Sequence, residues 1–237
     1  MEFRHFIITR FNVNIEPTDF PLRLDKAWLS LRFDLFQRFC FPSVRAQNLQ
    51  DFTWLVLFDE KTPEAYARLI SSYARYENLE PLFCGDFETI MPALATRIRE
   101  LSNGADRVLT TRLDNDDALE NNFTAVLHSV VENLAAQEEP LPKALYLNLV
   151  NGLQHMDGKI YDFKDPTNAF VSLLETMDEI NTVYWVDHPA IYKKAPVKQV
   201  ETRPLWLQNV HGTNVYNYLR GEYIGQVEDL KNFTLQL

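Results

Sequence analysis

An apolar segment passes directly into a cluster of acidic residues near the middle of the chain: Arg107-Val108-Leu109-Thr110-Thr111-Arg112-Leu113-Asp114-Asn115-Asp116-Asp117. The first seven of these residues predict a buried strand, because the segment is short and carries apolar and β-branched side chains. Three carboxylates and one amide follow where that strand would end. The segment therefore predicts a core strand that delivers acidic side chains to its carboxyl end.

Short apolar runs alternate with helical patterns in the first half of the chain. Further strands are predicted at residues 6–10, 52–58 and 79–84, and helices at residues 25–39, from Thr62-Pro63 onward, and at residues 94–101. This alternation predicts an α/β fold with a mainly parallel, Rossmann-type sheet and right-handed crossovers. No Gly-rich loop follows the first strand, where Arg10-Phe11-Asn12 stands, so an NAD site or a Walker loop is not expected.

The second half is less regular. Strands are predicted at residues 143–149, 182–186 and 205–210, and Asp157-Gly158 is typical of a hairpin turn. The chain has no internal repeat and no linker. We therefore expect a single domain, with a nucleotide half at residues 1–117 and an acceptor half at residues 118–237.

Composition excludes several classes of partner. The net charge of -10 argues against nucleic acid, which needs a basic binding face. Cys40 and Cys84 lie too far apart for a CxxC pair and predict buried thiols. No stretch approaches the roughly 18 apolar residues of a membrane span. We expect a cytoplasmic protein, for which peripheral association with a membrane stays open.

The acidic cluster, residues 114–117, predicts a metal site. In open α/β sheets, ligands bind beyond the carboxyl ends of the strands. Asp114, Asp116 and Asp117 repel one another there, and a hard divalent cation with oxygen ligands would relieve that repulsion. Such a cation also stabilises the charge that develops when a sugar–diphosphate bond breaks. The alternative is a solvated acidic loop that caps a helix beginning near Asn121.

Six motifs follow one another along the chain: Arg10-Phe11-Asn12; Pro42-Ser43-Val44-x-x-Gln47; Trp54-Leu55-Val56-Leu57-Phe58-Asp59; Thr111-Arg112-Leu113-Asp114-Asn115-Asp116-Asp117-Ala118; Asn168-x-Phe170-x-Ser172-Leu173-x-Glu175; and Trp206-Leu207-Gln208-x-x-His211-Gly212-x-Asn214. Together they resemble the bacterial rhamnosyltransferase family. The resemblance spans nearly the whole chain, and the order of the motifs is far more specific than a lone DxD. It implies a GT-A fold, a nucleotide-diphosphate sugar donor and a divalent metal, Mn²⁺ or Mg²⁺.

The resemblance also implies donor-binding residues: Arg10, Phe11, Asn12, Asp59, Arg112 and Asp114. Asp59 would accept the N3–H of a uracil or thymine, which favours a UDP or dTDP donor, or it is a plain turn residue. The two arginines would pair with the phosphates, or they neutralise the acidic cluster.

Metal ligands and the catalytic base complete the hypothesis. The metal would be held by Asp114, Asp116, Asp117 and His211, the last of which is a ligand or a structural histidine. An inverting transfer to a glycan or lipid-linked acceptor needs a carboxylate base, for which Asp187 and Glu175 are the candidates. Asp165 lies in the same half, and a retaining enzyme would need no such base.

Two rival functions remain open. A nucleotidyltransferase would share the sheet and the acidic site, but this class usually carries a Gly-rich, basic loop after the first strand. A non-catalytic carbohydrate-binding protein suits the 13% aromatic content, but it has no need of a strand-end acidic cluster.

Overall fold

A computed structural model describes residues 1–14, 21–137, 139–212 and 218–237, so the motif residue Asn214 lies outside the described part. The strands are β1 Phe3–Arg10, β2 Thr53–Asp59, β3 Leu79–Cys84, β4 Arg107–Arg112, β5 Ala118–Leu119, β6 Ala144–Leu149, β7 Asn151–Met156, β8 Lys159–Lys164, β9 Ser172–Thr176, β10 Val197–Val200, β11 Trp206–Asn209 and β12 Glu222–Gln226. The α-helices are α1 Lys26–Leu35, α2 Phe41–Arg45, α3 Ala67–Tyr73, α4 Phe87–Leu101 and α5 Phe123–Ala135. A π-helical turn at Phe36–Cys40 joins α1 to α2, and short 3-10 helices lie at Pro21–Leu24, Glu64–Tyr66, His188–Lys193 and Val227–Asp229.

The larger sheet has seven strands in the order β10-β6-β9-β4-β1-β2-β3. Its β1 runs parallel to β2 and β4, and β2 runs parallel to β3. Only β9 runs against its neighbours β4 and β6 among the described pairings. The predicted Rossmann-type mixed sheet flanked by helices is therefore confirmed. This sheet takes strands from both predicted halves, and the division at Asp117 stays a prediction.

Both faces of the central strands are buried. On β1, Phe6 and Ile8 pack in the layer that contains α4, whereas Ile7 packs in the layer that contains α1 and α5. Strands covered on both faces read as continuous apolar runs, which explains why β1, β2 and β4 can be recognised in the sequence. Each large side chain buried in these layers contributes about 1.5–3 kcal/mol to stability. Cys40 and Cys84 are free and buried, as predicted.

A second sheet of five strands has the order β12-β8-β7-β11-β5. The hairpin between β7 and β8 turns at Asp157 and Gly158, whose φ angles of 50° and 76° suit the predicted tight turn. The two-residue strand β5 directly follows the acidic cluster and pairs antiparallel with β11. This pairing brings the C-terminal motif back to the acidic cluster.

Trp206 fixes the position of β11. Its indole N–H donates to the carbonyl of Leu149 at 2.7 Å, and its ring stacks on Phe170 with centroids 4.7 Å apart. Gly152 on the neighbouring strand makes room for the indole, since a Cβ there would lie 2.1 Å from the ring. The motif residues Trp206 and Phe170 therefore support the site through packing.

The helix predicted at residues 94–101 begins earlier, at Phe87, and two other predicted elements differ in form. The helix predicted at residues 25–39 starts at Lys26, capped by Asp25, which accepts the Trp28 N–H at 2.9 Å, and it continues into the π-helical turn. Leu31 follows Trp28 at helical spacing, which predicts that it lies on the apolar face of this helix, but it is exposed. Residues 182–186 form turns rather than the predicted strand. The reason is local: the Glu175 carboxylate accepts the N–H of Thr182 at 2.8 Å, so a side chain replaces the neighbouring strand there.

Candidate nucleotide-sugar site

The acidic cluster lies at the carboxyl edge of the seven-stranded sheet. Ile8 on β1 pairs with Arg112 on β4, and Arg10 on β1 pairs with Leu57 on β2, so the ends of these three strands meet at one edge. The N–H of Leu113 donates to the carbonyl of Ile8 at 3.1 Å, which holds the exit of β4 against β1. The predicted convergence of strand-end side chains is therefore present.

Arginines surround the first carboxylate of the cluster. The Arg112 guanidinium donates to both oxygens of Asp114, at 2.9 and 3.4 Å. The guanidinium of Arg10 lies 4.1 Å from the centroid of the Tyr184 ring, and that of Arg112 lies 5.8 Å from it. Burial opposes ionisation of Asp114, but the positive charges of Arg112 and Arg10 outweigh it and lower the pKa. Asp114 is therefore a carboxylate, and both arginines lie near the Tyr184 ring.

Asn115 and Asp116 are held by a residue that the sequence did not indicate. Arg32 on α1 donates to Asp116 Oδ2 at 2.9 Å and makes a second hydrogen bond to Asn115 Oδ1. Asn115 also donates to the carbonyl of Phe11 at 3.0 Å. On Asp116, burial is outweighed by Arg32 and by the hydrogen bond from His211, so its pKa falls to about 2.

His211 reaches the acidic cluster from the C-terminal motif, as predicted. Its Nε2 lies 2.8 Å from Asp116 Oδ2, the oxygen that Arg32 also contacts. The pairing of β5 with β11 explains the contact, because the chain leaving Asn209 runs back past the residues that precede Ala118. Whether this histidine binds a metal stays a prediction.

Asp117 is the most enclosed member of the cluster. Its Oδ1 accepts the backbone N–H of Asn209 at 2.8 Å. Its Oδ2 is buried and has no hydrogen-bond partner within the described ranges. Burial raises the pKa of Asp117 well above its usual range, and the negative charges of Asp116 and Asp114 raise it further. Asp117 thus joins the acidic cluster to β11 and keeps one unused oxygen.

The motif at residues 42–47 anchors β5 behind the acidic cluster. Ser43 Oγ accepts the N–H of Leu119 at 3.1 Å. The Gln47 amide donates to the carbonyl of Glu120 at 2.8 Å and accepts the N–H of Thr124 at 3.1 Å. These bonds fix the segment that leaves the cluster, and they give this motif a positioning role.

Asp59 lies at the end of β2, next to the cluster but in an ion pair of its own. Arg23 Nε donates to Asp59 Oδ2 at 2.8 Å, and the Lys61 N–H donates to Oδ1 at 2.7 Å. The Asn12 amide links the same corner, because it accepts the Asp59 N–H at 3.2 Å. Both Asp59 oxygens therefore already have a hydrogen-bond partner. Any contact with a uracil or thymine base would use their remaining lone pairs.

Phe11 contributes through its backbone. Its ring packs among Phe33, Phe36 and Phe58, with centroids 4.4 to 5.4 Å away, and is buried. This packing leaves no face of the ring for a nucleotide. The carbonyl of Phe11, which accepts from Asn115, is the part that faces the site.

The two predicted bases lie in different places. Glu175 is buried on β9 and pairs with Val108, six residues before Asp114, so about 20 Å of strand separates it from the acidic cluster. Burial raises the pKa of Glu175, although three N–H donors from Asn181 and Thr182 act in the opposite direction and lower it. The structure therefore does not bring Glu175 to the cluster, because β9 runs antiparallel and carries its last residues to the opposite edge.

Asp187 directly precedes His188, which lies near the site. It is exposed and precedes the 3-10 helix His188–Lys193. Its neighbour His188 is close enough to the acidic edge to respond to it, since burial and then the positive charge of Arg112 lower the pKa of His188. Asp165 lies on the same side, where its Oδ2 is 3.5 Å from Arg220. Asp187 is thus an exposed carboxylate whose sequence neighbour His188 lies near the cluster.

Sequence reasoning missed Arg32, Tyr184 and His188. Arg32 follows Trp28 by four residues, so a basic residue one turn from an aromatic was the available signal. Tyr184 was hidden because residues 182–186 were assigned to a strand. No pattern marked His188, whose position depends on the turn that Glu175 holds in place.

The side chains fit a divalent cation that a substrate completes. Within the described ranges, no three His, Cys, Asp or Glu side chains converge closely enough to enclose a metal ion by themselves. Asp116 and His211 do meet, and Asp117 Oδ2 is a buried oxygen with no partner there. Mg²⁺ and similar ions commonly bind through one or two carboxylates together with substrate phosphates, which this arrangement allows. The repulsion expected within the cluster is already relieved by Arg32 and Arg112, so repulsion alone does not require a metal.

Comparison with known proteins decides the family. The profile of the family described as "Putative rhamnosyl transferase" matches residues 17–223. The chain belongs to this family. The motifs predicted this family. No curated protein matches the chain.

Solved structures with a similar arrangement have low sequence identity. TarS 1–349 of S. aureus in complex with UDP shares 10% identity at a TM-score of 0.49, over 89% of this chain and 61% of TarS 1–349. A "putative nucleotide-diphospho-sugar transferase" of Desulfovibrio desulfuricans shares 12% at 0.43, over 89% and 82% of the two chains. A 4-diphosphocytidyl-2C-methyl-D-erythritol synthase of Anaerococcus prevotii shares 10% at 0.40, over 84% and 89%. The chain thus spans less than two thirds of TarS 1–349. Within the described ranges, none of its helices combines the length and apolar character needed to cross a membrane.

Proposed function

We propose that this protein is a glycosyltransferase. It moves a hexose, with rhamnose as the first candidate, from a nucleoside diphosphate to a hydroxyl group of a glycan or lipid-linked acceptor. The observation that carries the proposal is the meeting of Asp114, Asp116 and His211 with Arg10 and Arg112 at one sheet edge. Ligands of open α/β sheets bind at this edge. The family supplies the class of reaction, and the site suits a diphosphate.

The donor's diphosphate would lie against Arg10 and Arg112. Guanidinium groups present paired N–H donors that match phosphate oxygens. Tyr184 supports this role, because its ring stacks beneath Arg10 and its hydroxyl donates to the carbonyl of Ile8 at 3.2 Å. The arginines would be held in place before the donor arrives. The nucleoside would extend toward Asp59 and Arg23 at the end of β2.

Mn²⁺ or Mg²⁺ would be held by Asp116 and His211, with Asp114 and Asp117 as nearby oxygen ligands. A bound divalent cation neutralises the charge that develops on the departing diphosphate. The mixture of carboxylate oxygen and imidazole nitrogen favours Mn²⁺, since Mg²⁺ prefers oxygen ligands. This role for His211 agrees with its contact to Asp116.

Asp187 is the proposed general base. It would take the proton from the acceptor hydroxyl as that oxygen attacks the sugar carbon, while the diphosphate departs with the bonding electrons. Its exposure next to His188 supports this role, and the distance of Glu175 from the cluster argues for Asp187 over Glu175.

A donor screen tests the proposal. UDP-, dTDP- and GDP-sugars, including dTDP-rhamnose, are compared by thermal shift and by release of the nucleoside diphosphate, with and without Mn²⁺. We expect a UDP- or dTDP-sugar to stabilise the protein and to be slowly hydrolysed, and both effects should depend on Mn²⁺. A protein that responds to none of these donors, with or without metal, would contradict the proposed activity.

A further inference from the structure

Arg32 occupies the position that a metal ion would need. Its side chain is only 14% exposed and bridges two members of the acidic cluster through Asp116 Oδ2 and Asn115 Oδ1. It comes from α1, a helix that belongs to none of the six sequence motifs. The Nε–H of Arg32 is buried and has no partner within the described part of the chain. One donor of this guanidinium therefore remains unused where it now lies.

Arg32 and a cation would compete for one oxygen. Asp116 Oδ2 already accepts Arg32 Nη1 at 2.9 Å and contacts His211 Nε2 at 2.8 Å. A divalent ion bound to that oxygen and to His211 would lie within a few ångströms of the guanidinium. Two positive centres this close repel strongly at a site shielded from water. The cation can bind there only if Arg32 moves away from Asp116.

We propose that Arg32 is an internal counter-ion for Asp116, which blocks metal binding until the nucleotide arrives. The proposal rests on the proposed function of the acidic cluster. When the diphosphate binds, its oxygens offer Arg32 a new bidentate partner of the kind that guanidinium groups favour. Arg32 then leaves Asp116 to the cation. Metal and nucleotide bind cooperatively as a result, and Arg32 acts as a positioning residue.

Direct measurement of Mn²⁺ binding tests this role without any turnover. Free Mn²⁺ is followed by electron paramagnetic resonance, alone and with saturating UDP, for the wild-type protein and for Arg32→Gln. We expect Arg32→Gln to bind Mn²⁺ about tenfold or more tightly in the absence of UDP, the scale of a lost charged hydrogen bond. UDP should increase the Mn²⁺ affinity of the wild type by a large factor and that of Arg32→Gln by a much smaller one.

Arg38→Gln is the matched control. Arg38 lies six residues farther along the same helical segment, has a side chain that is 42% exposed, and pairs with Asp34 rather than with the acidic cluster. The Arg38→Gln substitution removes the same charge as Arg32→Gln. It should leave the Mn²⁺ affinity unchanged both with and without UDP. Arg32→Lys provides a second variant if Arg32→Gln folds poorly. Its ammonium group keeps the positive charge but lacks the planar guanidinium fork that spans Asn115 and Asp116, so we expect an intermediate affinity without UDP.

The outcomes separate this proposal from the proposed function. If the wild type binds Mn²⁺ with UDP, but Arg32→Gln and Arg32→Lys match Arg38→Gln throughout, the counter-ion role is overturned and the metal site stands. Weaker Mn²⁺ binding by Arg32→Gln would also overturn it, since Arg32 would then be needed to order the cluster. If the wild type binds no Mn²⁺ even with saturating UDP, the proposed metal site fails and the Arg32 proposal falls with it.

Discussion

Replacing Glu175 by alanine separates a structural carboxylate from a catalytic one. Glu175 accepts the N–H of Thr182 at 2.8 Å, the N–H of Asn181 at 3.1 Å and the Asn181 amide at 3.2 Å. Without the carboxylate, two backbone N–H groups lose their acceptor, at a cost of about 1–3 kcal/mol each when they stay buried. Removal of a buried charged group offsets part of that cost. We therefore expect Glu175→Ala to lower the free energy of unfolding by about 2–5 kcal/mol.

Urea unfolding and initial transfer rates measure the two effects separately. Glu175→Ala should unfold at a clearly lower urea concentration, yet keep a transfer rate within a few-fold of the wild type well below its unfolding midpoint. Glu179→Ala, at an exposed position nearby, is the control and should change stability by less than about 0.5 kcal/mol. A Glu175→Ala protein of normal stability whose transfer rate falls by a factor of about 10² or more would refute the reasoning and restore Glu175 as a base.

Three further predictions follow from the site and the core. Asp187→Asn should slow transfer by about 10²–10⁴-fold and leave donor affinity unchanged by calorimetry; a loss below tenfold would exclude a base. Asp59→Asn should weaken pyrimidine donors by about 1–2 kcal/mol but spare purine donors, and equal losses would show that Asp59 does not read the base. Burial lowers the pKa of His5 and His128, so stability is full above pH ~6.5 and falls below it; His5→Asn should flatten that fall in urea titrations, and an unchanged slope would contradict it.

The central strands and the position of the acidic cluster could be predicted because their signals are local. Strands β1, β2 and β4 are buried on both faces, so each one reads as an apolar run. The cluster directly follows such a run, and the carboxyl ends of parallel strands share an edge. His211 returns to the acidic cluster, as expected, and contacts Asp116. Its role as a metal ligand stays a prediction.

Other parts of the site depend on contacts between distant residues. The contact between His211 and Asp116 depends on the pairing of β5 with β11, and a two-residue strand has no periodicity to recognise. Arg32 reaches the cluster from α1, and its four-residue spacing from Trp28 does not specify that the guanidinium turns inward to Asp116. The apolar run around Tyr184 looked like a strand because the carboxylate that satisfies its turn comes from Glu175, several residues earlier.

The most direct test of the central claim is calorimetric titration of UDP or dTDP into the wild-type protein and into Asp116→Ala, with and without Mn²⁺. Asp116 accepts hydrogen bonds from both Arg32 and His211, so it lies at the centre of the proposed metal-dependent site. We expect Mn²⁺ to strengthen nucleotide binding to the wild type and to have no effect on Asp116→Ala, which should remain folded by circular dichroism. An Asp116→Ala protein that binds the nucleotide with the wild-type dependence on Mn²⁺ would show that the acidic cluster is not the nucleotide-sugar site.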